Sequence, residues 1–292
     1  MVSNHGGRQL DCVPATIDVL PDVVRAVGHR CEVYVDGGVR LGTDVVKAIA
    51  LGARAVFVGR PVLYGLAYSG EEGVVKVLDI LRAETDRAMA LMGEADIMES
   101  QSLAVASCTN VNPARTVADI EKMGMAKLSP GPRFYYSMGA DEERTLAENM
   151  QAFKGLRLLP RLLRGVVNRS LETVLLGQRV SLPVGISPTA FHKVAHPDGE
   201  AATARAAAKA GTVMIVSISS TTSLEDVREA APNALLWFQL CIFADRTITH
   251  RLVRRAEEAG YSAIVYAADI PVGGSNSEKF GDFLKDYMED LG

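Results

Sequence analysis

Short apolar runs alternate with amphipathic helical patterns along most of the chain. Pro21 is suited to the first turn of a helix, so the first helix is predicted to begin there. The elements predicted in the first part are a helix at 21–28, a strand at 32–35, a helix at 43–52, a strand at 55–58 and a long amphipathic helix at 71–92. This order predicts an α/β fold with a parallel sheet.

The second part of the chain resumes this alternation. Residues 99–116 are rich in small polar residues without a sustained period, and we predict a linker there. Helices are predicted at 117–125 and from Asp141, as the cap, to about 153; strands are predicted at 183–186, 213–216, 235–240 and 263–268. Polar or glycine residues follow nearly every strand. In a β/α barrel these strand ends form the rim where ligands bind.

The composition limits the kinds of molecule that the protein is expected to bind. The 292 residues are 48% hydrophobic, which is enough for a sizeable core, and the net charge is −4. Basic residues are scattered among acids, so no nucleic acid partner is expected, and no apolar run is long enough to span a bilayer. The four cysteines lie far apart and fit reduced thiols rather than disulfides or a zinc site. No metal is therefore expected.

Residues 3–8, which read Ser-Asn-His-Gly-Gly-Arg, carry reactive groups close together. The imidazole of His5 could move a proton, the two glycines would let a ligand approach the backbone, and the Arg8 guanidinium could hold a carboxylate. Taken alone, the segment is more typical of a polar loop near a terminus.

Two glycine turns follow predicted strands and suggest phosphate binding. Residues 36–40 read Asp-Gly-Gly-Val-Arg, and residues 58–61 read Val-Gly-Arg-Pro. In each turn glycine lets backbone N–H groups approach a ligand while arginine adds a cation, so neighbouring strand ends could cradle one phosphate together. Ordinary turns are the alternative interpretation.

Four further residues admit both a binding and a structural interpretation. Ser217 and Gln239, at strand ends, could hydrogen-bond a heterocycle or only satisfy polar groups at the rim. Tyr135 could present its hydroxyl to a substrate or pack as an aromatic residue. For His196, which precedes a helix, capping is favoured over catalysis.

These motifs together resemble the FMN-dependent 2-hydroxy acid oxidases, the glycolate oxidase family. The segments at 3–11, 36–40 and 58–61 are similar to the C-terminal part of that family. Residues 134–143, Phe-Tyr-Tyr-Ser-Met-Gly-Ala-Asp-Glu-Glu, and 195–200, Ala-His-Pro-Asp-Gly-Glu, are similar to its N-terminal part. The resemblance implies a TIM (β/α)8-type barrel that is permuted and incomplete, with strand 5 and part of strand 6 missing.

The resemblance also implies a division of the chain and roles for its residues. Residues 1–98 would be the C-terminal portion of the barrel, 99–116 a linker, 117–276 the N-terminal portion and 277–292 a tail. His5 would be the catalytic base and Asp269 its orienting carboxylate, while Arg8 and Tyr135 would bind the substrate carboxylate. The residues implied to bind FMN are Asp36, Gly38, Arg40, Gly59 and Arg60 around the phosphate, and Pro188, Thr189, Ala190, Ser217 and Gln239 along the isoalloxazine ring.

Several positions depart from the family pattern. The chain contains no counterpart of a strand whose lysine contacts the flavin in the family. Ala267 stands where the family has a flavin-side threonine and Cys241 where it has a substrate-side tyrosine; Ser219 replaces a loop tryptophan and Asn276 a second substrate arginine. Loss of the lysine removes a cation beside the reduced flavin, which is expected to weaken binding and turnover.

The function implied by the resemblance is FMN-dependent oxidation of a small (S)-2-hydroxy acid to a 2-oxo acid. Oxygen or another electron acceptor would reoxidise the flavin, and self-association of the chain is a further expectation. The alternative is a catalytically inactive flavin- or phosphate-binding remnant, or a fragment of a tandem gene, with a binding or assembly role. Another phosphate-binding barrel, such as a relative of IMP dehydrogenase, would explain the glycine turns but not His5 and Arg8 together.

An intracellular location is expected. His5 and Arg8 lie close to the start of the chain, which is unlike a signal peptide. The family resemblance implies a peroxisome, but residues 288–292 contain no peroxisomal Ser-Lys-Leu tripeptide, so a cytoplasmic location is equally expected.

Overall fold

A parallel sheet of six strands forms the centre of the protein, for which a computed structural model describes residues 1–97, 114–161, 166 and 168–269. Most of the predicted linker at 99–116, the whole predicted tail at 277–292, Cys108 and Asn276 lie outside the described residues. The strands are β1 (Tyr34–Asp36), β2 (Ala55–Val58), β3 (Thr173–Leu175), β4 (Gln178–Val180), β5 (Val184–Ile186), β6 (Val213–Val216), β7 (Leu235–Leu240) and β8 (Ile264–Tyr266).

Helices separate most of these strands, as the alternating pattern predicts. They are α1 (Thr16–Val27), α2 (Gly42–Ala50), α3 (Arg60–Met92), α4 (Val117–Lys127), α5 (Pro130–Ser137), α6 (Arg144–Gly155), α7 (Gly199–Ala210), α8 (Leu224–Ala230) and α9 (Arg246–Glu258), with a short 3-10 turn at His192–Val194. Within the described residues, no helix is long and apolar enough to cross a membrane.

The two parts of the chain share one sheet. Its strand order is β1-β2-β5-β6-β7-β8, and every neighbouring pair is parallel. β2, from the first part, pairs with β5, from the second, with Val56 opposite Val184. Val2 forms a parallel bridge with Val35 and so extends the sheet beyond β1.

The sheet curls until its two outer edges approach each other. His5 follows the Val2 bridge at one edge, and Asp269 follows β8 at the other. His5 Nδ1 lies 3.1 Å from Asp269 Oδ2. The predicted α/β fold is therefore confirmed as a partial barrel of parallel strands with helices around it. The reversed order of the two parts relative to the family stays a prediction.

Aromatic side chains fill the inside of the curled sheet. Trp237 on β7 lies 5.8 Å from Tyr34 and 5.9 Å from Phe57 between ring centroids, and Trp237 is only 3% exposed. Leu175 and Val180, from the antiparallel hairpin β3–β4, pack against this cluster. With these side chains packed inside the barrel, the space for a ligand lies at the carboxyl ends of the strands.

The first helix begins earlier than predicted. α1 starts at Thr16, so Pro21 lies inside it rather than at its first turn. Ile17 and Leu20 are 1% and 0% exposed, and burial of these two side chains favours a helix through the segment before the proline.

The predicted cap of α6 is wrong, because the cap comes from a distant residue. Asp141 has no capping contact with the helix, whose first turn begins at Arg144. Instead, the carboxylate of Asp11 accepts hydrogen bonds from the backbone N–H groups of Glu142, Arg144 and Thr145, at 3.2, 3.3 and 2.8 Å. The backbone N–H of Thr145 has the largest effect and lowers the pKa of Asp11, and that of Arg144 lowers it further. The contact ties the segment after His5 and Arg8 to the second part of the chain.

Candidate active site

One cavity of about 570 Å³ opens at the carboxyl ends of the parallel strands. It is lined by every residue that the sequence predicts for the site: His5, Arg8, Asp36, Gly38, Arg40, Gly59, Arg60, Tyr135, Pro188, Thr189, Ala190, Ser217, Gln239 and Asp269. These residues come from both parts of the chain, so the fold brings the two groups of motifs together. Their individual roles stay predictions.

His5 and Asp269 form a pair at the mouth of the cavity. The carboxylate Oδ2 of Asp269 lies 3.1 Å from His5 Nδ1, and this hydrogen bond lowers the pKa of Asp269. His5, Gly6 and Gly7 all have positive φ, of 56°, 64° and 74°, so the two glycines permit a tight loop. The contact with Asp269 restrains the imidazole through Nδ1, and no described residue forms a hydrogen bond with its Nε2.

Asp36 is the last residue of β1, and among the described residues only one of its two carboxylate oxygens has a hydrogen-bond partner. Ser187 Oγ donates to Asp36 Oδ2 at 3.1 Å, and the nearby Ser3 hydroxyl also lowers the pKa of the carboxyl. Burial has the larger effect and raises the pKa. Asp36 Oδ1 is buried and accepts no hydrogen bond within the described part of the chain. A ligand hydroxyl in the cavity would satisfy it.

Gly37 and Gly38 make a turn after β1 that only glycine fits. Their φ angles are 91° and 85°, in the region that favours glycine. A Cβ added at Gly38 would lie 1.9 Å from the carbonyl oxygen of Asn149 on α6. The turn is therefore packed directly against the helix that Asp11 caps.

The substitution Gly38→Ala should destabilise the protein more than Gly28→Ala. Gly28 also has positive φ, of 57°, but a Cβ added there meets nothing within 4 Å. Comparing these two variants therefore separates the cost of the clash with Asn149 from the cost of backbone strain. We expect G38A to cost about 1–3 kcal/mol more than G28A in urea unfolding. Equal losses in the two variants would contradict the packing described for this turn.

Arg8 is stacked on Tyr135 within the cavity. Its guanidinium carbon lies 4.6 Å from the ring centroid, and Nη1 donates to the Tyr135 carbonyl at 2.7 Å. Burial lowers the pKa of Arg8, but guanidinium stays protonated in proteins. In the described chain, no residue accepts a hydrogen bond from its other N–H groups. A carboxylate entering the cavity would find these donors in a partly desolvated place.

Arg60 forms structural hydrogen bonds with the backbone around the site, in addition to the phosphate contact that the sequence predicts for it. It donates to the carbonyl oxygens of Gly6, Tyr136 and Met138 at 3.0, 2.9 and 2.9 Å. Burial lowers its pKa to about 10. Three of its five N–H groups thus tie the His5 loop to α5, which leaves two for the predicted phosphate contact. Arg40 uses one N–H group on the Val39 carbonyl and also lines the cavity.

A row of polar groups lies at the carboxyl ends of β5, β6 and β7. Ser217 Oγ and the Ile218 N–H both donate to Gln239 Oε1, at 3.2 and 3.1 Å. This fixes the amide so that Nε2 is its donor end, and Nε2 lies 3.5 Å from Cys241 Sγ. Thr189 Oγ1 lies 2.5 Å from His192 Nε2. Hydrogen-bonding groups of this kind suit the edge of a planar heterocycle.

Some residues of the site were missed from the sequence. Ser187, which bonds Asp36, and Asn149, whose amide pairs with that of Asn4 at 2.7 and 2.8 Å, carry no local signal. His196 lies against Gly70 and accepts a hydrogen bond from the Asp198 N–H at 3.2 Å, just before α7. The capping role that the sequence favours for His196 stays a prediction. Among the described residues, no lysine lines the cavity.

The sequence of the chain matches that of a known protein family. The sequence model of the FMN-dependent dehydrogenase family matches residues 1–107 and 125–284, which together are most of the chain. The chain belongs to the FMN-dependent dehydrogenase family. The predicted family is therefore confirmed, and FMN is the cofactor on which this family depends.

Curated relatives of this family member are hydroxy acid oxidases. The chain is 45% identical over 159 residues to 2-hydroxyacid oxidase 1 of Homo sapiens, covering 54% of this chain and 43% of the relative. It is 44% identical over 163 residues to glycolate oxidase of Spinacia oleracea, covering 56% and 42%. These matches thus span less than half the length of each relative.

Solved structures of mandelate oxidase share the fold. A variant with (S)-mandelic acid superposes with a TM-score of 0.50 at 33% identity, covering 53% of this chain and 46% of that one. Another variant, with 3,3,3-trifluoro-2,2-dihydroxypropanoic acid, gives a TM-score of 0.53 at 33% identity and covers 56% and 49%. The likeness supports a partial barrel of the family type.

Proposed function

We propose that this chain binds FMN in the cavity and oxidises a small (S)-2-hydroxy acid to a 2-oxo acid. The observation that carries the proposal is the placement of the His5–Asp269 pair and the Arg8 guanidinium in one cavity with the glycine turns after β1 and β2. A base and a carboxylate-binding cation are the two groups that a 2-hydroxy acid requires. The names of the relatives and structural neighbours support the substrate class.

The cavity fits FMN in three respects. The turn at Gly37–Gly38 and the start of α3 at Gly59 offer backbone N–H groups beside two arginines, Arg40 and Arg60, which suits a phosphate. The buried Asp36 Oδ1 lacks a donor, which suits a ribityl hydroxyl. The polar row along Thr189, Ser217 and Gln239 suits the isoalloxazine ring.

His5 removes the hydroxyl proton of the substrate. Asp269 accepts a hydrogen bond from Nδ1, so the neutral imidazole has an unprotonated Nε2 that can accept a proton. When Nε2 takes the proton, the Asp269 carboxylate stabilises the resulting imidazolium. Bound FMN would accept the hydride equivalent lost from C2, which is one proton and two electrons, and the product is the 2-oxo acid.

Arg8 fixes the substrate for this step. Its free N–H groups hold the carboxylate, while stacking on Tyr135 restrains the guanidinium. The (S) configuration in this proposal follows the ligand of the mandelate oxidase neighbour. Oxygen or another electron acceptor would then reoxidise the flavin. The proposal also includes self-association of the chain.

A second candidate function is flavin binding without turnover. It is favoured by the absence of a lysine among the described cavity residues, because a cation beside the ring stabilises charge that develops there. The two candidates share the FMN site and differ only in whether substrate reduces the bound flavin.

The substitution Asp36→Asn is expected to change the stability of the protein and its affinity for FMN in opposite directions. Burial raises the pKa of Asp36, so its charged form costs stability in the ligand-free protein once pH exceeds the pKa of the unfolded state. D36N should therefore raise the melting temperature at pH 8 more than at pH 5. It should also lower FMN affinity by about 10-fold, since one acceptor for a ribityl hydroxyl is lost. An unchanged FMN affinity, or a lower melting temperature at pH 8, would contradict this role of Asp36.

An FMN titration tests the proposed site. The purified chain should quench or shift FMN fluorescence saturably and change the flavin absorption spectrum. If FMN added to the folded protein keeps its free spectrum and fluorescence, the proposed site is wrong.

A further inference from the structure

Behind the cavity wall lies a buried histidine that none of the roles above uses. His192 is 1% exposed and begins the 3-10 turn that follows the Pro188-Thr189-Ala190 segment. Its ring lies between two threonine hydroxyls. Nε2 is 2.5 Å from Thr189 Oγ1, at the cavity, and Nδ1 is 3.0 Å from Thr203 Oγ1, on α7.

The backbone of His192 is held as firmly as its ring. The N–H of His192 donates to the buried Glu200 Oε1 at 3.1 Å. Glu200 also accepts hydrogen bonds from the Thr221 N–H, the Thr221 hydroxyl and the Thr222 hydroxyl, at 2.9, 2.7 and 2.8 Å. A carboxylate with this many donors is a rigid anchor, so the backbone that carries the ring is fixed relative to α7 and to the Thr221–Thr222 segment.

The contacts of Thr203 indicate the direction of the hydrogen bonds. The Thr203 hydroxyl donates to the Gly199 carbonyl one helical turn earlier, at 3.4 Å. Because a hydroxyl has one proton, Thr203 Oγ1 then accepts from His192 Nδ1–H. Burial has the largest effect on the pKa of His192 and lowers it, while the Glu200 carboxylate and a backbone contact with Thr189 raise it, so the net shift favours a neutral ring with one proton. In the tautomer that carries this proton on Nδ1, Nε2 accepts a hydrogen bond from the Thr189 hydroxyl.

We infer that His192 is a positioning residue that turns the Thr189 hydroxyl proton away from the cavity, so that Thr189 Oγ1 offers the cavity a hydrogen-bond acceptor. The inference rests on the proposed function, in which the ligand group is an N–H of the isoalloxazine ring. An unrestrained threonine hydroxyl could present either its proton or its lone pairs to a ligand. With its proton held by His192, Thr189 favours a ring N–H over a ring carbonyl at that position.

Three variants test this positioning role through FMN affinity. His192→Leu and Thr189→Val should each weaken FMN binding about 5- to 10-fold, the worth of one hydrogen bond. The double variant should bind no more weakly than either single variant, because both remove the same contact. His192→Gln should stay within about twofold of the original chain, since an amide can donate to Thr203 and accept from Thr189. His196→Leu is the control outside the cavity.

A structural role alone would give a different pattern. In that case His192→Leu would lower the melting temperature while the folded fraction bound FMN with unchanged affinity, and the inference would be overturned. Nitrogen-15 NMR of labelled histidines, assigned with His192→Gln, gives a direct readout without FMN. An unprotonated Nε2 is expected, and a protonated Nε2 would overturn the inference. If the original chain does not bind FMN at all, the proposed function fails, whereas the NMR result still tests the direction of the hydrogen bond.

Discussion

The substitution His5→Gln is expected to slow reduction of bound FMN by a 2-hydroxy acid by about 100- to 10,000-fold, the usual contribution of a general base. His5 is the imidazole that lines the cavity in the described structure, and Asp269 holds its Nδ1 at 3.1 Å. Glutamine keeps a polar side chain of similar length but cannot accept the proton. The measurement is the rate of flavin bleaching after anaerobic mixing with substrate.

Measuring FMN affinity shows whether the H5Q variant has lost only the catalytic base or also the FMN-binding site. H5Q should bind FMN within about twofold of the original chain, because none of the predicted phosphate or ring contacts involves His5. Asp269→Asn should show a smaller loss in the same assay, since it removes the orienting carboxylate and leaves the imidazole. His196→Gln, outside the cavity, is the matched control. If H5Q reduced FMN as fast as the control, His5 would not be the base.

The substitution Arg8→Lys is expected to lower kcat/KM for 2-hydroxy acids by about 100-fold, mainly through KM. Lysine keeps the positive charge but loses both the planar pair of donors and the stacking on Tyr135, which lies 4.6 Å from the guanidinium. A bidentate contact with a carboxylate therefore becomes a single point charge. Arg25→Lys, at an exposed ion pair with Asp22, is the matched control.

The substrate itself provides a second check on Arg8. The original chain should strongly prefer a 2-hydroxy acid to its uncharged methyl ester, and Arg8→Met should lose most of that preference by reacting poorly with both. Steady-state kinetics with the acid and ester pair gives the ratio directly. If the preference for the acid were unchanged in R8M, the carboxylate would be bound elsewhere in the cavity.

The strand ends were predictable because their signal is local. Apolar runs such as 55–58 are followed at once by glycine and arginine, and parallel strands bring their carboxyl ends to one edge of a sheet. That is why the glycine turns at 36–40 and 58–61 and the polar residues Ser217 and Gln239 could be placed at one rim from sequence. The family resemblance then supplied the pairing of His5 with Asp269, which no local pattern contains.

The supporting contacts could not be predicted because they join distant parts of the chain. The carboxylate that caps α6 comes from Asp11, not from the neighbouring Asp141, and the donor to Asp36 is Ser187. Arg60 looked like a phosphate ligand in sequence, yet three of its N–H groups hold backbone carbonyls. Such contacts depend on how α6, β5 and the His5 loop pack together, and packing leaves no periodic signal in a sequence.

The most direct test of the proposed oxidation is anaerobic reduction of the FMN-loaded chain by glycolate, lactate and (S)-mandelate. At least one of these acids should bleach the oxidised flavin and yield one 2-oxo acid for each flavin reduced. If FMN binds but none of these or longer 2-hydroxy acids reduces it, the cavity is a flavin-binding site without the proposed oxidation.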